Sequence, residues 1–310
     1  LIYTCTFSPS IDYTTYLPSF KTGRLNRAQE VQLEPGGKGI NVSRVLARLG
    51  SDSTALGLVG GFTGAFIKDF LEAEGIRTGF VQTDGTTRIN VKIKASVETE
   101  LNGPSPDVTE QQMKALQEKV ANLAAEDWFV LAGSLPGSVP DSFYEELAAY
   151  CQERRAHFVL DTSGPLLLRL VRQQPFLIKP NAEELGDLFS TEIRTAGQAA
   201  AHAQELVEQG ARHVIVSMGG EGAVLASEDG AFFAEAPQGT VINTVGAGDS
   251  LVAGFISAYA DGADPVEAFR TGVASGSATA FRPDLCERTD VEALLTQIRV
   301  TPFEEQDVKK

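Results

Sequence analysis

The sequence predicts an α/β protein, with a doubly wound, mostly parallel sheet, helices on both faces and a small β-sheet lid. Three observations predict it. From Asp107 onward, short apolar runs alternate with helix-period segments through short connections, the pattern of parallel strands joined by crossover helices. Strand after strand ends on Ser, Asp, Asn, Glu or Gly, which places one long crevice along one edge of the sheet. Residues 13–35 and 88–94 carry strand-like pieces outside that rhythm. The 310 residues suffice for a sizeable core, and 1–310 are expected to form one domain with lid segments at about 12–34 and 86–102.

Taken in order, residues 2–7 read as a first strand, ended by Ser8-Pro9-Ser10. Asp12 is expected just beyond it, where open sheets bind ligands, or else as an Asx turn. Residues 13–35 contain Pro18, Gly23, Arg24 and Arg27 and read as a strand pair away from the main sheet. Gly36-Gly37-Lys38-Gly39 then opens a helix that buries Val42, Val45, Leu46 and Leu49 and stops at Gly50. Strand 54–59 and helix 65–74 follow, and 80–83 leads into the segment from Gly85. In 88–94, Ile89, Val91 and Ile93 alternate with Arg88, Asn90, Lys92 and Lys94, so one apolar face is expected to be buried and the other to carry cations, either in a small sheet that pairs with 13–35 and covers a site or on an edge strand protected by its lysines.

The second half is more regular. Helix 109–125 precedes strand 128–132 and the glycine-rich end Gly133-Ser134-Leu135-Pro136-Gly137. Helix 141–153 leads to strand 158–160, which ends at Asp161. Helix 165–173 leads to strand 176–178 and Lys179-Pro180-Asn181. Helix 195–209 leads to strand 213–216 and Ser217-Met218-Gly219-Gly220-Glu221-Gly222. A β-like run at 239–242 then enters Asn243-Thr244-Val245-Gly246-Ala247-Gly248-Asp249-Ser250, and a helix buries Leu251, Val252, Phe255, Ile256 and Tyr259.

Composition narrows the function. The net charge of −15 argues against nucleic acid and anionic membranes as partners. No apolar run is long enough to span a bilayer, and the N-terminus lacks a basic-plus-apolar leader pattern, so a cytoplasmic location is expected. The chain opens on Leu1 rather than Met, as expected after loss of an initiator. Cys5, Cys151 and Cys286 form neither a disulfide framework nor a zinc pattern, and His157, His202 and His213 have no metal-ligand spacing. Residues 1–97 hold 11 Lys and Arg against 8 Asp and Glu, whereas the remainder is strongly acidic, so an anion is favoured near the N-terminal third.

Two glycine clusters open helices and so offer unpaired N–H groups to an anion. In the later one, Asp249 stands in the first turn, either as a cap or as a base beside a phosphoryl group in transfer. The earlier one is not a P-loop, since Gln32 stands where the first glycine belongs and Gly39 follows the lysine. No dinucleotide fingerprint is present either.

Pro-Gly-Gly-Lys-Gly-Ile-Asn-Val (35–42) and Thr-Val-Gly-Ala-Gly-Asp-Ser (244–250) resemble the two signatures of the ribokinase-like, pfkB-type sugar kinases. Residues 133–137 and Lys-Pro-Asn-Ala-Glu-Glu-Leu (179–185) are similar to that family's intermediate blocks, and the order runs through nearly the whole chain. Segments 87–93 and 100–104, with Lys38, are most similar to the branch acting on fructose 1-phosphate, with tagatose 6-phosphate and fructose 6-phosphate kinases as alternatives.

The resemblance implies transfer of the ATP γ-phosphoryl group, with Mg2+, to a hydroxyl of a phosphorylated ketose. It also implies a homodimer formed through the lid. It implies Asp249 as base, with the donors at Gly246, Ala247 and Gly248 on the transferring group. Asp12, Gly36, Gly37, Asn41 and Ser134 would meet the sugar, and Lys38, Arg88 and Arg27 its phosphate. Asn181 and Glu184 would organise the metal through water, and Lys179, Ser217, Gly219, Gly222 and Thr244 would border the nucleotide, with Arg24 at a lid position near it. An Asp at a helix N-terminus is expected to have a low pKa, because the dipole favours its charged form.

Overall fold

The computed structural model describes residues 1–133 and 136–303. Its main sheet has eleven strands. Ile2–Thr6 lies inside it, third from one edge, parallel to Ser53–Val59 on one side and to Trp128–Ala132 on the other. His157–Asp161, Leu177–Ile178 and His213–Ser217 continue in parallel, and three antiparallel strands, Ala223–Ser227, Gly230–Ala234 and Val300–Pro302, close that edge. Chain order reverses on either side of Ile2–Thr6, and a crevice opens at the carboxyl ends of strands flanking such a switch.

The central strands are buried on both faces and read as continuous apolar runs, such as Trp128–Ala132. One face packs Leu116, Val120, Leu147, Leu167 and Leu206 from four helices onto Phe129, Leu131 and Leu160. The other packs Val42, Val45, Leu46, Val252, Phe255, Ile256 and Phe269 onto Val130, Val159 and Ile215. Fully burying one such side chain stabilises by about 1.5–3 kcal/mol, so the two layers hold the strand ends in fixed positions.

The predicted strand and helix order holds, with ends moved by a few residues. The helix predicted at 65–74 begins earlier, at Gly61, and the one predicted at 109–125 is Glu110–Ala121, opened by a Thr109/Gln112 capping box. Three expectations change. The β-like run at 239–242 is not a strand: Val241 and Ile242 are exposed, and the amides of Ile242 and Asn243 donate to the Ala280 carbonyl instead of a sheet neighbour. Asp12 is not in a turn but inside a strand, Ser10–Tyr16.

That strand belongs to a separate four-stranded sheet, ordered Glu30–Gly36, Ser10–Tyr16, Arg88–Lys94, Thr99–Asn102. Here the third correction arises. The polar face of Arg88–Lys94 is the covered one near the cleft, with Asn90 8% exposed, while Ile89 is 38% exposed. The register explains it. Ser10 and Asp12 lie opposite Arg88 and Asn90, so the cleft takes the polar residues of both strands and only Ile93 of the apolar set is buried.

Candidate active site

The helix Lys38–Leu49 starts at Gly37, whose φ is 124° and which supplies no side-chain cap, so the first-turn N–H groups face the crevice. Gly36 must be glycine, since a Cβ there would lie 2.5 Å from both Asp12 Oδ1 and Ser10 Oγ. The helix Ala247–Ala260 starts at Gly246 with φ 80°, again with no side-chain cap. It is buried on more than one side, by the sheet and by the helices Lys38–Leu49 and Pro265–Ala280, which fixes its N-terminal turn.

The two helix entrances meet. Asn41 Nδ2 donates to Asp249 Oδ2 at 2.7 Å. A cavity of about 410 Å³ is lined by Thr6, Ser8, Ser10, Asp12, Gly37, Lys38, Asn41, Arg88, Asn90, Gly133, Lys179, Asn181, Glu184, Ser217, Val245, Gly246, Gly248 and Asp249. A second cavity of about 500 Å³ shares Asn181 and Ser217 with it and adds Ala182, Glu183, Ile193, Arg194, Met218, Gly219 and Glu221. Asn181 and Ser217, joined by a parallel bridge, form the wall between the two.

The electrostatics are set by buried pairs. Asp161, 1% exposed, accepts from Lys38 Nζ at 2.9 Å and lies 3.4 Å from Lys179 Nζ. Burial disfavours its charge, but Lys179 and Lys38 hold it below the usual carboxylate range. Asp249 behaves oppositely and corrects the expected low pKa. Burial, with Asp161 adding to it, pushes it up to about 6 against the pull of Asn41, Lys38 and Lys179. Burial lowers the pKa of Lys38, but Asp161, with Glu184 and Asp249 behind it, raises it overall. Asp12 accepts from Ser10 Oγ and Asn90 Nδ2 on one oxygen and pairs with Lys92 at 2.8 Å on the other.

Arg88 differs from every other cation around the cleft. It donates from Nε and Nη2 to the Ser8 carbonyl and has no carboxylate partner among the described residues. Burial lowers its pKa, and the nearby charge of Asp12 offsets this only in part. A half-buried guanidinium without an acid is a site for an incoming anion.

Most residues expected at the site therefore converge. Gly36 shapes the wall, Ala247 begins the later helix, and the Thr244 carbonyl accepts from Ala247 N while its side chain stays exposed. Gly219 lines the second cavity. Gly222 sits behind it, where a Cβ would collide with the Ala234 carbonyl oxygen. Arg24 and Arg27 are exposed and line neither cavity, and Ser134 lies outside the described residues. Asn181 Oδ1 accepts from Glu184 N at 2.7 Å while Glu184 Oε2 accepts from Asn181 N at 2.9 Å. This capping box leaves Glu184 Oε1 free, 3.9 Å from Lys38 Nζ.

Sequence reasoning did not single out Asp161, Lys92, Ser10 or Asn90. The first is the crevice end of a predicted strand, without an assigned role there, although the rule about strand ends points to one. The others needed the lid register.

Two helix N-termini, an acid poised to accept a proton and an unpaired arginine in one cleft suit transfer of a phosphoryl group to a hydroxyl. Comparison with known proteins agrees. Residues 6–290 match the pfkB family of carbohydrate kinases. The chain belongs to that family and has its ribokinase-like fold. It is 48% identical to the 1-phosphofructokinase of Bacillus subtilis (strain 168), over 97% of this chain and 99% of that protein. It is 35% identical to the D-tagatose-1-phosphate kinase of Bacillus licheniformis, over 97% and 99%. Among solved structures, phosphofructokinase-2 from Escherichia coli in complex with fructose-6-phosphate superposes with TM-score 0.89 at 31% identity, over 95% of this chain and 98% of that one. The described residues contain no helix long and apolar enough to cross a membrane.

Proposed function

We propose that the enzyme transfers the γ-phosphoryl group of ATP to the 6-hydroxyl of fructose 1-phosphate, giving fructose 1,6-bisphosphate and ADP. The observation that carries this reading is the shared cavity with Asp249 at a helix entrance and Arg88 as a cation without an acid partner. Arg88, with Lys38 near it, holds the phosphate already on the sugar. Asp12 and Asn41 accept from and donate to its hydroxyls, and the open backbone at Gly37 allows close approach. This orients the 6-hydroxyl toward Asp249.

In the transfer, the bond from the sugar oxygen to the γ-phosphorus forms as the bond to the β-phosphate bridge oxygen breaks. The hydroxyl proton passes to Asp249. The N–H groups at 246–248 stabilise charge on the transferring oxygens. With its pKa near 6, Asp249 is a better base than an ordinary carboxylate yet still ionised near neutral pH. The second cavity, with Ser217 and Gly219, takes the nucleotide, and Lys179, buried beside Gly248, faces the polyphosphate.

The residues fit a Mg2+ ion held through water. Glu184 has one oxygen free of the capping box, and Mg2+ in phosphate sites keeps several waters and takes one or two carboxylates. Asn181 serves by fixing Glu184. The ion would neutralise phosphate charge there.

The described lid strands form a cover over the cleft, and we assign them a water-excluding role. Its far face carries Val31, Leu33, Ile89 and Leu101, all 38% exposed or more, on one side of the sheet by register. A second copy of the chain is the proposed cover.

The D-tagatose-1-phosphate kinase relative supports a second acceptor, the C4 epimer bearing the same 1-phosphate. ADP release is to be compared for fructose 1-phosphate, tagatose 1-phosphate, fructose 6-phosphate and tagatose 6-phosphate, with Asp249→Asn as control. The expected result is a kcat/KM at least about tenfold higher for fructose 1-phosphate, lost in the variant. A preference for tagatose 1-phosphate would keep the mechanism and change the acceptor. A preference for a 6-phosphate would overturn the assignment of Arg88 to the 1-phosphate.

A further inference from the structure

A charged cluster away from the cleft touches the anion turn. Arg44 and Arg48 follow Asn41 on the same face of the helix Lys38–Leu49. Arg44, only 3% exposed, grips Glu74 through Nε at 2.9 Å and Nη2 at 3.1 Å and reaches Asp284 Oδ2 at 3.4 Å. Arg48 Nη2 donates to the same Asp284 oxygen at 2.6 Å, and its Nη1 donates to the Leu285 carbonyl. Among the described residues, Asp284 is the acid of this cluster that lies within 283–286, while Glu287, just beyond, stands 3.5 Å from Arg48 Nη1 and makes no contact with Arg44.

That segment underlies the turn along its length. Asn243 Nδ2 donates to the Pro283 carbonyl at 3.1 Å. Leu285 Cδ2 fills the space beside Gly246, 2.6 Å from where a Cβ would stand. Cys286 N donates to Thr279 Oγ1, which is bonded to Ser250 Oγ at 2.7 Å. The lid reaches the same place. Half-buried Glu34, in the strand Glu30–Gly36, feels Asp284 and both arginines.

We propose that Asp284 is a positioning residue for the anion turn. By clamping residues 283–286 to Arg44 and Arg48, it fixes Leu285 against Gly246. It also sets the 246–248 donors in one frame with Lys38 and Asn41 on the same helix as the arginines. Donors aimed at developing charge act only when held within a fraction of an ångström, and charge-assisted bonds are the strongest available means of holding a loop. The inference rests on the reading that the 246–248 donors hold the transferring phosphoryl group.

The test compares Asp284→Ala and Asp284→Asn with Glu74→Gln, which removes the other acid on Arg44 without touching residues 283–286. Asp284→Ala is expected to lower kcat about tenfold while KM for fructose 1-phosphate and for ATP stays within about twofold. Asp284→Asn, which keeps an acceptor for Arg48, recovers part of that loss. Glu74→Gln lowers Tm at least as much and keeps kcat. Binding of ADP with aluminium fluoride and sugar phosphate weakens in Asp284→Ala in step with kcat, while ADP alone binds as before. If Asp284→Ala does not fold, Asp284→Asn carries the same comparison.

A folded Asp284 variant with wild-type kcat overturns the proposal. So does an equal kcat loss in Glu74→Gln. Asp249→Asn is measured in parallel. If it too keeps kcat, the reading of the turn has failed. If it loses kcat and Asp284→Ala does not, only the positioning role falls.

Discussion

Asn41 and Asp249, 208 positions apart, are joined by one hydrogen bond of 2.7 Å between the first turns of two helices. The bond favours the charged form of a carboxylate that burial and Asp161 push toward neutrality. The proposed base therefore stands in a balance of large opposing effects, and each can be altered separately.

Replacing Asp249 by Asn is expected to lower kcat by about 10²–10⁴ while the fold survives. It is also expected to stabilise the protein, with a pH dependence of known sign. The folded pKa of about 6 lies above the ordinary value of 3.8, so the folded state holds the proton more tightly than the unfolded chain. Ionised Asp249 therefore costs stability, increasingly as pH rises from about 4 through 6, by roughly 1–3 kcal/mol when fully developed. Denaturant midpoints should show the Asn variant ahead at pH 8 and level with the wild type at pH 4. A variant equally or less stable at pH 8 would contradict the raised pKa.

The acidic limb of the rate profile offers a second check. Activity should fall as pH drops through about 6, because the protonated carboxyl cannot accept the hydroxyl proton. Asn41→Ala removes a bond that lowers the pKa, so its limb should move to higher pH. Comparing both proteins with the same substrates cancels the ionisation of the sugar phosphate. A limb that stays in place would show that some other group controls it.

Much of this arrangement was legible in the chain. The strand–helix rhythm gave the parallel strands of the main sheet and the helices between them, though not the strand order or the antiparallel edge, because strands buried on both faces must be continuous apolar runs, and Trp128–Ala132 is one. Helix entrances were legible because only glycines such as Gly37 and Gly246 leave both free donors and room for a ligand. What stayed hidden depended on partners far away in sequence. Asp249 at a helix N-terminus implied a low pKa, and its own burial in the folded chain, with the charge of Asp161 added, reverses the sign. The polar face of Arg88–Lys94 meets the cleft as expected, but its apolar face was expected to be buried and is so only at Ile93, because alternation gives two faces without saying what covers each. Val241 and Ile242 looked like a strand because β-propensity registers side-chain type, whereas a strand also needs a neighbour.

Arg88→Ala should mainly raise KM for the sugar phosphate, by about tenfold or more, through loss of roughly 1.5–3 kcal/mol of charge-assisted bonding. The kcat at saturation should change far less, since the fixed phosphate is remote from the bond being made. No stability loss is expected either. Among the described residues, Arg88 has no acid partner to leave stranded, and its side-chain bonds go to the Ser8 carbonyl. Initial rates across sugar-phosphate concentrations separate the two constants. An unchanged KM would remove Arg88 from the substrate site and leave Lys38 as the candidate anchor.

The lid supplies the last prediction. A sheet whose cleft face holds Asp12, Asn90 and Arg88 must turn its apolar residues away from the substrate, and Leu33 at 45% and Leu101 at 59% exposure lie there unburied. Leu33 pairs in register with Tyr13, which pairs with Val91, which pairs with Leu101, so the exposed residues form one continuous band across four strands. Such a band is costly in water and suits a second copy of itself. Leu33→Asp places a charge within the band, on its edge strand, and should weaken self-association by at least about thirtyfold, the equivalent of 2 kcal/mol or more, in sedimentation experiments. The side chain points away from the cleft, so Asp249 and Arg88 are untouched by the change itself. KM for the sugar phosphate should rise in the monomer if pairing holds the lid over the site, and activity should return at protein concentrations high enough to restore the dimer. A variant that remains dimeric would place the contact elsewhere on the chain, and a wild-type protein that sediments as a monomer would leave the band without its proposed partner.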